Sequence, residues 1–286
     1  MKILCYINHF FGHNSKFIGK SSFPPGTSEA ELQLRAIKRK RYIQEVISQV
    51  NEMGEVDLRI CGINGNSIVP IDIEFKNIKS EPLLMIYESL NHMAQFLDQY
   101  DYFINLEDDI LLPEDTFKNI VEFDKVSLIN EILLPNRLES WSNGESYCVD
   151  LNACPQWTQQ RRKYNGKEFR VALNPHSGIL ILSREKFRYG LNQLDRNFRG
   201  VLMYNELDSA FAYFHSPFSL FRSEDIRFHH VIHLDKWLYS PEEKKYNENW
   251  KYRLKSLKKS DFIPPVFFRI ISFLQKWIVL SKGIMS

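Results

Sequence analysis

Tyr102-Phe103-Ile104-Asn105-Leu106-Glu107-Asp108-Asp109-Ile110-Leu111-Leu112-Pro113-Glu114-Asp115 begins as an apolar run of strand length and ends in three successive carboxylates, with a proline-led helix start directly behind them. Strand side chains alternate with period two, so Glu107 and Asp109 are expected on one side of the backbone and Asp108 on the other. Carboxylates that converge repel one another unless something positive sits between them, and a hard divalent cation is the usual solution. The plainer reading is that the acids cap the next helix and face water. Glu114 and Asp115 already supply that helix with first-turn acids, which leaves the triplet surplus to structure.

Upstream of this stretch, residues 2–7 read as a buried first strand ending in the polar and aromatic cluster Asn8-His9-Phe10-Phe11-Gly12. Strand carboxyl ends open into crevices where loops diverge. Tyr6, His9 and Phe10 are therefore candidate contacts for a planar base, or alternatively packing at the sheet edge. A Gly-, Ser- and Pro-bearing loop over residues 15–27 is long enough to cover such a crevice. Ser28 and Glu31 have capping-box spacing, and Ala36, Ile43, Val46, Ile47 and Val50 follow at helical spacing up to a stop at Gly54. The basic residues Arg35, Lys38, Arg39, Lys40 and Arg41 read as the solvated face of that helix, some of them able to meet phosphate. A second apolar strand over 56–61 and a helix introduced by Ser80 and Pro82 lead into the acidic strand. Helices alternating with apolar strands indicate an α/β fold, a mainly parallel sheet flanked by helices.

Downstream, residues 113–123 read as a helix, 131–135 as a short strand and 137–164 as an irregular region. The apolar stretch 169–183 is broken by the polar segment around His176-Ser177-Gly178. A helix follows over 184–194, and Asn205 caps another that begins Glu206-Leu207-Asp208. The chain then returns to extended form and reaches His229-His230-Val231-Ile232-His233, where alternation puts His229 and His233 on one side and His230 on the other.

This order of parts resembles a nucleotide-sugar-dependent glycosyltransferase of the GT-A fold, of the kind that builds bacterial surface polysaccharide such as O-antigen or capsule. Asn105-Leu106-Glu107-Asp108-Asp109 is similar to that family's DxD motif in an acidic variant. The resemblance implies a Rossmann-type sheet and a donor-binding set of Tyr6, His9, Phe10, Glu107, Asp108 and Asp109. It also implies a divalent metal, Mn or Mg, on Asp109, with Glu107 meeting metal or ribose and a late histidine, His233 before His229 or His230, completing the coordination. His176, Ser177 and Gly178 correspond to the acceptor segment. Asp208, with Glu206 beside it and Glu224 or Asp225 as rivals, corresponds to the base of an inverting enzyme; a retaining enzyme needs none.

The 286-residue chain is 44% hydrophobic and 25% charged, an ordinary globular composition, and its net charge of +2 provides no global field for nucleic acid. Cys5, Cys61, Cys148 and Cys154 lack paired metal-ligand spacing and read as reduced thiols of a cytoplasmic protein, and the N-terminal apolar run is too short for a signal peptide. Residues 1–250 read as one GT-A-like catalytic domain and 251–286 as a basic, amphipathic tail. In that tail Lys251, Arg253, Lys255, Lys258 and Lys259 precede an apolar segment over 266–280, the pattern of a C-terminal helix lying in a membrane interface. The expected partners are a nucleotide sugar, a lipid-linked glycan acceptor and the membrane surface, at the inner face of the cell membrane. The transferred sugar would be a hexose such as galactose, carried on UDP. The alternatives are a sugar nucleotidyltransferase, against which the missing Gly-rich phosphate loop argues, and a noncatalytic glycan-binding protein at the membrane.

Overall fold

The structure, a computed structural model, describes residues 1–12, 27–78, 81–141, 143–148, 157–172, 174–202 and 206–235. Most of the loop expected over the crevice, the caps at Ser80 and Asn205, Cys154 and the whole basic tail lie outside the described residues. The first half of the chain forms β1 (Ile3–Asn8), α1 (Glu29–Asn51), β2 (Val56–Gly62), β3 (Ile73–Glu74), α2 (Met85–Met93), β4 (Tyr102–Glu107), β5 (Ile110–Leu111) and α3 (Glu114–Asp124). The second forms β6 (Glu131–Leu133), β7 (Asn136–Ser140), β8 (Ser146–Cys148), β9 (Trp157–Tyr164), β10 (Lys167–Ala172), β11 (Ile179–Ser183), α4 (Arg184–Gln193), α5 (Glu206–His215), β12 (Ser219–Ser223) and β13 (His230–His233).

The central sheet has the order β11-β4-β1-β2-β3, with β4, β1, β2 and β3 parallel and β11 antiparallel at one edge. Period-two alternation divides its side chains between two apolar layers. Ile3, Cys5 and Ile7 of β1, with Ile104 and Leu106 of β4, face Val46 and Val50 of α1 and Phe117, Ile120 and Phe123 of α3. Leu4, Tyr6 and Phe103 face the other way, onto Ile86, Leu90 and Met93 of α2, Phe187 of α4 and Phe211 and Phe214 of α5. With both faces covered, β1 and β4 can be continuous apolar runs.

α1 starts where its capping box puts it, the Ser28 hydroxyl accepting the Glu31 N–H at 3.3 Å, and ends ahead of Gly54, whose φ of +110° suits glycine. The helix expected to follow Pro82 is confined to α2, because 3₁₀ turns at Pro82–Leu84 and Ala94–Phe96 bracket it.

The sheet expected from sequence is one of three among the described residues. β6-β12-β10-β9 and β5-β13-β7-β8 form two four-stranded sheets of mixed direction. They place β7, β8 and β9 inside residues 137–164, expected to be irregular. The reason is local: β9 reads Trp-Thr-Gln-Gln-Arg-Arg-Lys-Tyr and is largely exposed, so no apolar alternation marks it, and pairing with β10 makes it a strand. Among the described residues, no helix is long and apolar enough to cross a membrane.

Phe103 is fully buried, its ring 4.9 Å from that of Phe187. Phe103→Ala should destabilise the fold by about 3–5 kcal/mol, read from urea unfolding. Leu34→Ala, at a position 68% exposed on α1, should stay within about 0.5 kcal/mol.

Candidate active site

β1 and β4 end side by side, Asn8 in register with Glu107. A buried amide ladder ties the two ends together: Asn8 Nδ2 donates to Asn105 Oδ1 at 2.7 Å and to the Leu106 carbonyl at 3.1 Å, and Asn105 Nδ2 donates to Ser89 Oγ at 2.9 Å. Beyond Glu107 the chain leaves strand geometry for a two-residue turn before β5, so the expected alternation stops there. Asp108 and Asp109 do not diverge; both are buried, and one guanidinium meets both.

That guanidinium belongs to Arg39, on the face of α1 expected to be solvated. Its Nη1 lies 2.8 Å from Asp109 Oδ2 and 3.3 Å from Asp108 Oδ1. Burial works against its charge, but the carboxylates of Asp108, Asp109 and Asp235 outweigh that and raise its pKa above the ordinary guanidinium value. On the other side of Asp108, His9 Nδ1–H donates to Oδ2 at 2.5 Å while the Ile68 N–H donates to His9 Nε2 at 3.2 Å. Both ring nitrogens of His9 are thus engaged, one by the acid and one by the loop after β2.

β13 carries the late histidine to the acids. It pairs with β5, His233 opposite Ile110, and the Leu234 N–H donates to the Asp109 carbonyl at 2.9 Å. His233 Nε2 then stands 3.4 Å from Asp109 Oδ2, and its Nδ1 lies 2.5 Å from Glu139 Oε1. Tyr147 OH donates to the other Glu139 oxygen at 2.8 Å. Of the three late histidines, His233 meets the acids, His229 is buried on the same side of the chain and His230 faces outward.

The segment 174–178 and α5 form a second cluster. His176 Nε2 lies 2.5 Å from Asp208 Oδ1, in the first turn of α5, where the helix dipole favours negative charge. Two side chains expected to serve acceptor and base are thus hydrogen-bonded to each other. Ser177, by contrast, is buried with its hydroxyl donating to the Ile179 carbonyl at 2.8 Å. Gly178 has a φ of +68°, and a Cβ there would stand 3.1 Å from Glu107 Oε2; its carbonyl accepts the Glu107 N–H at 3.1 Å. Glycine at 178 therefore lets the segment lie directly against Glu107. Glu206 is half-buried at the same helix start, whereas Glu224 and Asp225 are engaged with Arg170 and Lys167.

A crevice lined by Asn8, Phe10, Arg39, Glu107, Asp108, Asp109 and Leu207, with the apolar Pro82, Met85 and Ile86, lies over the acids and approaches the second cluster at Leu207, the chain neighbour of Asp208; His233, His176 and Asp208 are not among its lining residues. Phe10 is where a flat ligand could meet it. Tyr6, expected beside it, lies in the core with its hydroxyl 2.9 Å from His92 Nδ1, and His9 is buried on Asp108, so neither is among the lining residues.

The donor set suits a hard divalent cation in part. Ligands about 2.1 Å from one octahedral ion stand about 3 Å apart, close to the separation of Asp109 Oδ2 and His233 Nε2. A carboxylate on the far nitrogen is the arrangement that orients a ligating imidazole, and Glu139 occupies that place. Glu107 is not gathered with them, and among the described residues no group of three or more His, Cys, Asp or Glu side chains forms a closed metal site. Two protein ligands completed by water and substrate phosphate is how Mg-type ions are commonly held.

Sequence reasoning missed three contributors: Arg39 as an inward-facing residue, Glu139 and Arg222. Arg222, fully buried in β12, donates to the carbonyls of Pro135 at 2.6 Å, Asn174 at 3.4 Å and His176, and so fixes the segment that carries His176. A basic residue directly after the apolar pair Leu220-Phe221 is the signal that could have pointed to it.

Hydrogen bonds to a charged group contribute about 1.5–3 kcal/mol each. Arg222→Met should therefore lower stability by about 2–5 kcal/mol in chemical denaturation. Burial, aided by Arg222, holds His215 down to about 3, and burial likewise holds His229 down to about 3. Folded pKa values below the unfolded value near 6.5 mean that the unfolded chain alone takes up these protons as pH falls from about 6.5 toward 3. Stability should be flat in these two groups above about pH 7 and then decline by up to about 2.7 kcal/mol per pH unit. Urea midpoints between pH 7.5 and 5 read this slope, and His229→Leu should reduce it.

No protein-family model and no curated protein matches the sequence. Among solved structures, the chain is similar to a glycosyltransferase involved in the glycosylation of the major capsid of PBCV-1, with 11% identity over 78% of this chain and 92% of that one, and a TM-score of 0.30. A superposition at that score establishes neither a shared fold nor a shared activity.

Proposed function

We propose that this chain is a metal-dependent glycosyltransferase that moves a hexose from a nucleotide sugar, UDP-linked, to a hydroxyl of a lipid-linked glycan in surface-polysaccharide synthesis. The observation that carries the reading is a crevice at the carboxyl ends of two parallel strands that is lined by Asp109, against which His233 stands, and by Leu207, the chain neighbour of the Asp208 that His176 meets. Ligands of α/β sheets bind outside strand carboxyl ends for the reason seen here: the loops diverge and leave polar groups facing a common space.

In this reading Asp109 and His233 hold Mn or Mg together with the donor's diphosphate, and the bound ion supplies stabilisation of the negative charge that gathers on the leaving group. Phe10 provides an apolar surface for the base. Asp208 takes the proton of the acceptor hydroxyl as its oxygen forms a bond to the anomeric carbon; the bond from that carbon to the diphosphate oxygen breaks, its electron pair leaves with the nucleoside diphosphate, and configuration inverts. His176 donates its Nε2–H to Asp208 and so orients the carboxylate. The basic, amphipathic sequence of residues 251–286 supports docking at the inner face of the cell membrane, where a lipid-linked acceptor is confined.

Purified protein incubated with a panel of nucleotide sugars and Mn should release nucleoside diphosphate from one of them, and release should stop with a chelator. Asp208→Asn should lower kcat by about 10²–10⁴-fold with little change in donor KM. Asp109→Ala should abolish donor turnover. Chelator-resistant turnover untouched by Asp109→Ala would remove the metal role, and no turnover of any donor by the wild type would remove the reading.

A further inference from the structure

The oxygen that Arg39 holds is the one a cation would need. Asp109 Oδ2 lies 2.8 Å from Arg39 Nη1 and 3.4 Å from His233 Nε2, so guanidinium and metal compete for a single atom. Arg39 reaches it from α1, 70 positions away in the chain, with only 13% of its side chain exposed, and it lines the crevice.

A buried carboxylate pair needs a counter-ion in the ligand-free protein, and Arg39 supplies one. Adding a divalent cation beside it would leave two positive groups at one oxygen in a poorly solvated corner. If Arg39 simply withdrew, it would lose its shorter ion pair, a cost that a bare cation must overcome. A diphosphate removes that cost. It brings negative oxygens into the same crevice, and a guanidinium with five N–H donors is suited to meet them two at a time while staying beside Asp108.

We infer that Arg39 guards the cation position: it occupies Asp109 in the ligand-free protein and turns to the phosphates of a nucleoside diphosphate when one binds, making metal binding conditional on the nucleotide. The inference rests on the glycosyltransferase reading for the identity of the ligand. It adds a diphosphate-binding residue, contributed by α1, and an order to the binding of metal and donor.

The test uses the full-length chain, Mn and UDP, with no turnover. Free Mn is followed by electron paramagnetic resonance and UDP binding by calorimetry, with circular dichroism as the check on folding. Wild type should bind Mn alone weakly and much more tightly with saturating UDP. Arg39→Gln should bind Mn alone about tenfold more tightly than wild type, and UDP in saturating Mn about tenfold more weakly, each tenfold change being about 1.4 kcal/mol. Arg39→Lys keeps a charge at the position without the planar fork; it should hold Mn alone as weakly as wild type does and still lose UDP affinity by about threefold or more. If Arg39→Gln folds and shifts neither affinity while wild type binds Mn with UDP, the inference is overturned and the glycosyltransferase reading stands. If Arg39→Gln does not fold, unchanged UDP affinity in Arg39→Lys overturns it. If wild type binds no Mn with or without UDP, both fall.

Discussion

The structure at the acidic corner depends on a single constraint: two carboxylates buried at the end of an inner strand must be neutralised. Taking an ion out of water costs several kcal/mol even after the protein relaxes, and Asp108 and Asp109 are both nearly inaccessible. Arg39 meets them both, His9 donates to Asp108, and His233 stands against Asp109 with Glu139 and Tyr147 behind it. Each group comes from a different part of the chain, so the corner exists only when β1, α1, β4, the loop after β2, the β7–β8 pair and β13 are all in place. An ion-pair network of this kind contributes little net stability compared with apolar packing. What it does is hold charged groups at defined positions, which matters at a site and would be wasted in a core.

The second cluster is anchored by a different device. Arg222 donates to three backbone carbonyls, one of them that of His176, and thereby sets the height of His176 against Asp208. Gly178 then brings the same segment against Glu107, so backbone links the two clusters. Antiparallel pairing of β11 with β4 continues directly from that contact. Acid corner and histidine–aspartate pair therefore share one support, the β4–β11 edge of the central sheet, and can keep a fixed separation.

The fold of the first 124 residues was legible because its signals are local or periodic. Apolar runs gave β1, β2 and β4; the Ser28–Glu31 capping box and a helical apolar stripe gave α1. The strands inside 137–164 were not legible, because β7 and β9 carry charged and polar side chains and β8 is three residues long, so their strand character comes from their neighbours. The same division runs through the site. Asp109 and the late histidines could be singled out from residue type and position, His176 and Asp208 only through the family resemblance. The expectation that Asp108 would point away from Asp109 failed because the alternation rule applies only inside a strand, and the strand ends at Glu107.

Sequence alone determined that acids gather at the end of an inner strand, that helices cover that strand on both sides, and that a histidine-rich extended segment comes late in the chain, since each follows from residue type and spacing over a dozen positions or fewer. Tertiary structure decided which positive group neutralises the acids, which histidine stands beside them, and which carboxylates and carbonyls hold those groups in place. Those choices depend on side chains 32 to 124 positions apart meeting across element boundaries, and direct contacts such as Arg39 with Asp109 or His233 with Glu139 leave no periodic trace in the chain.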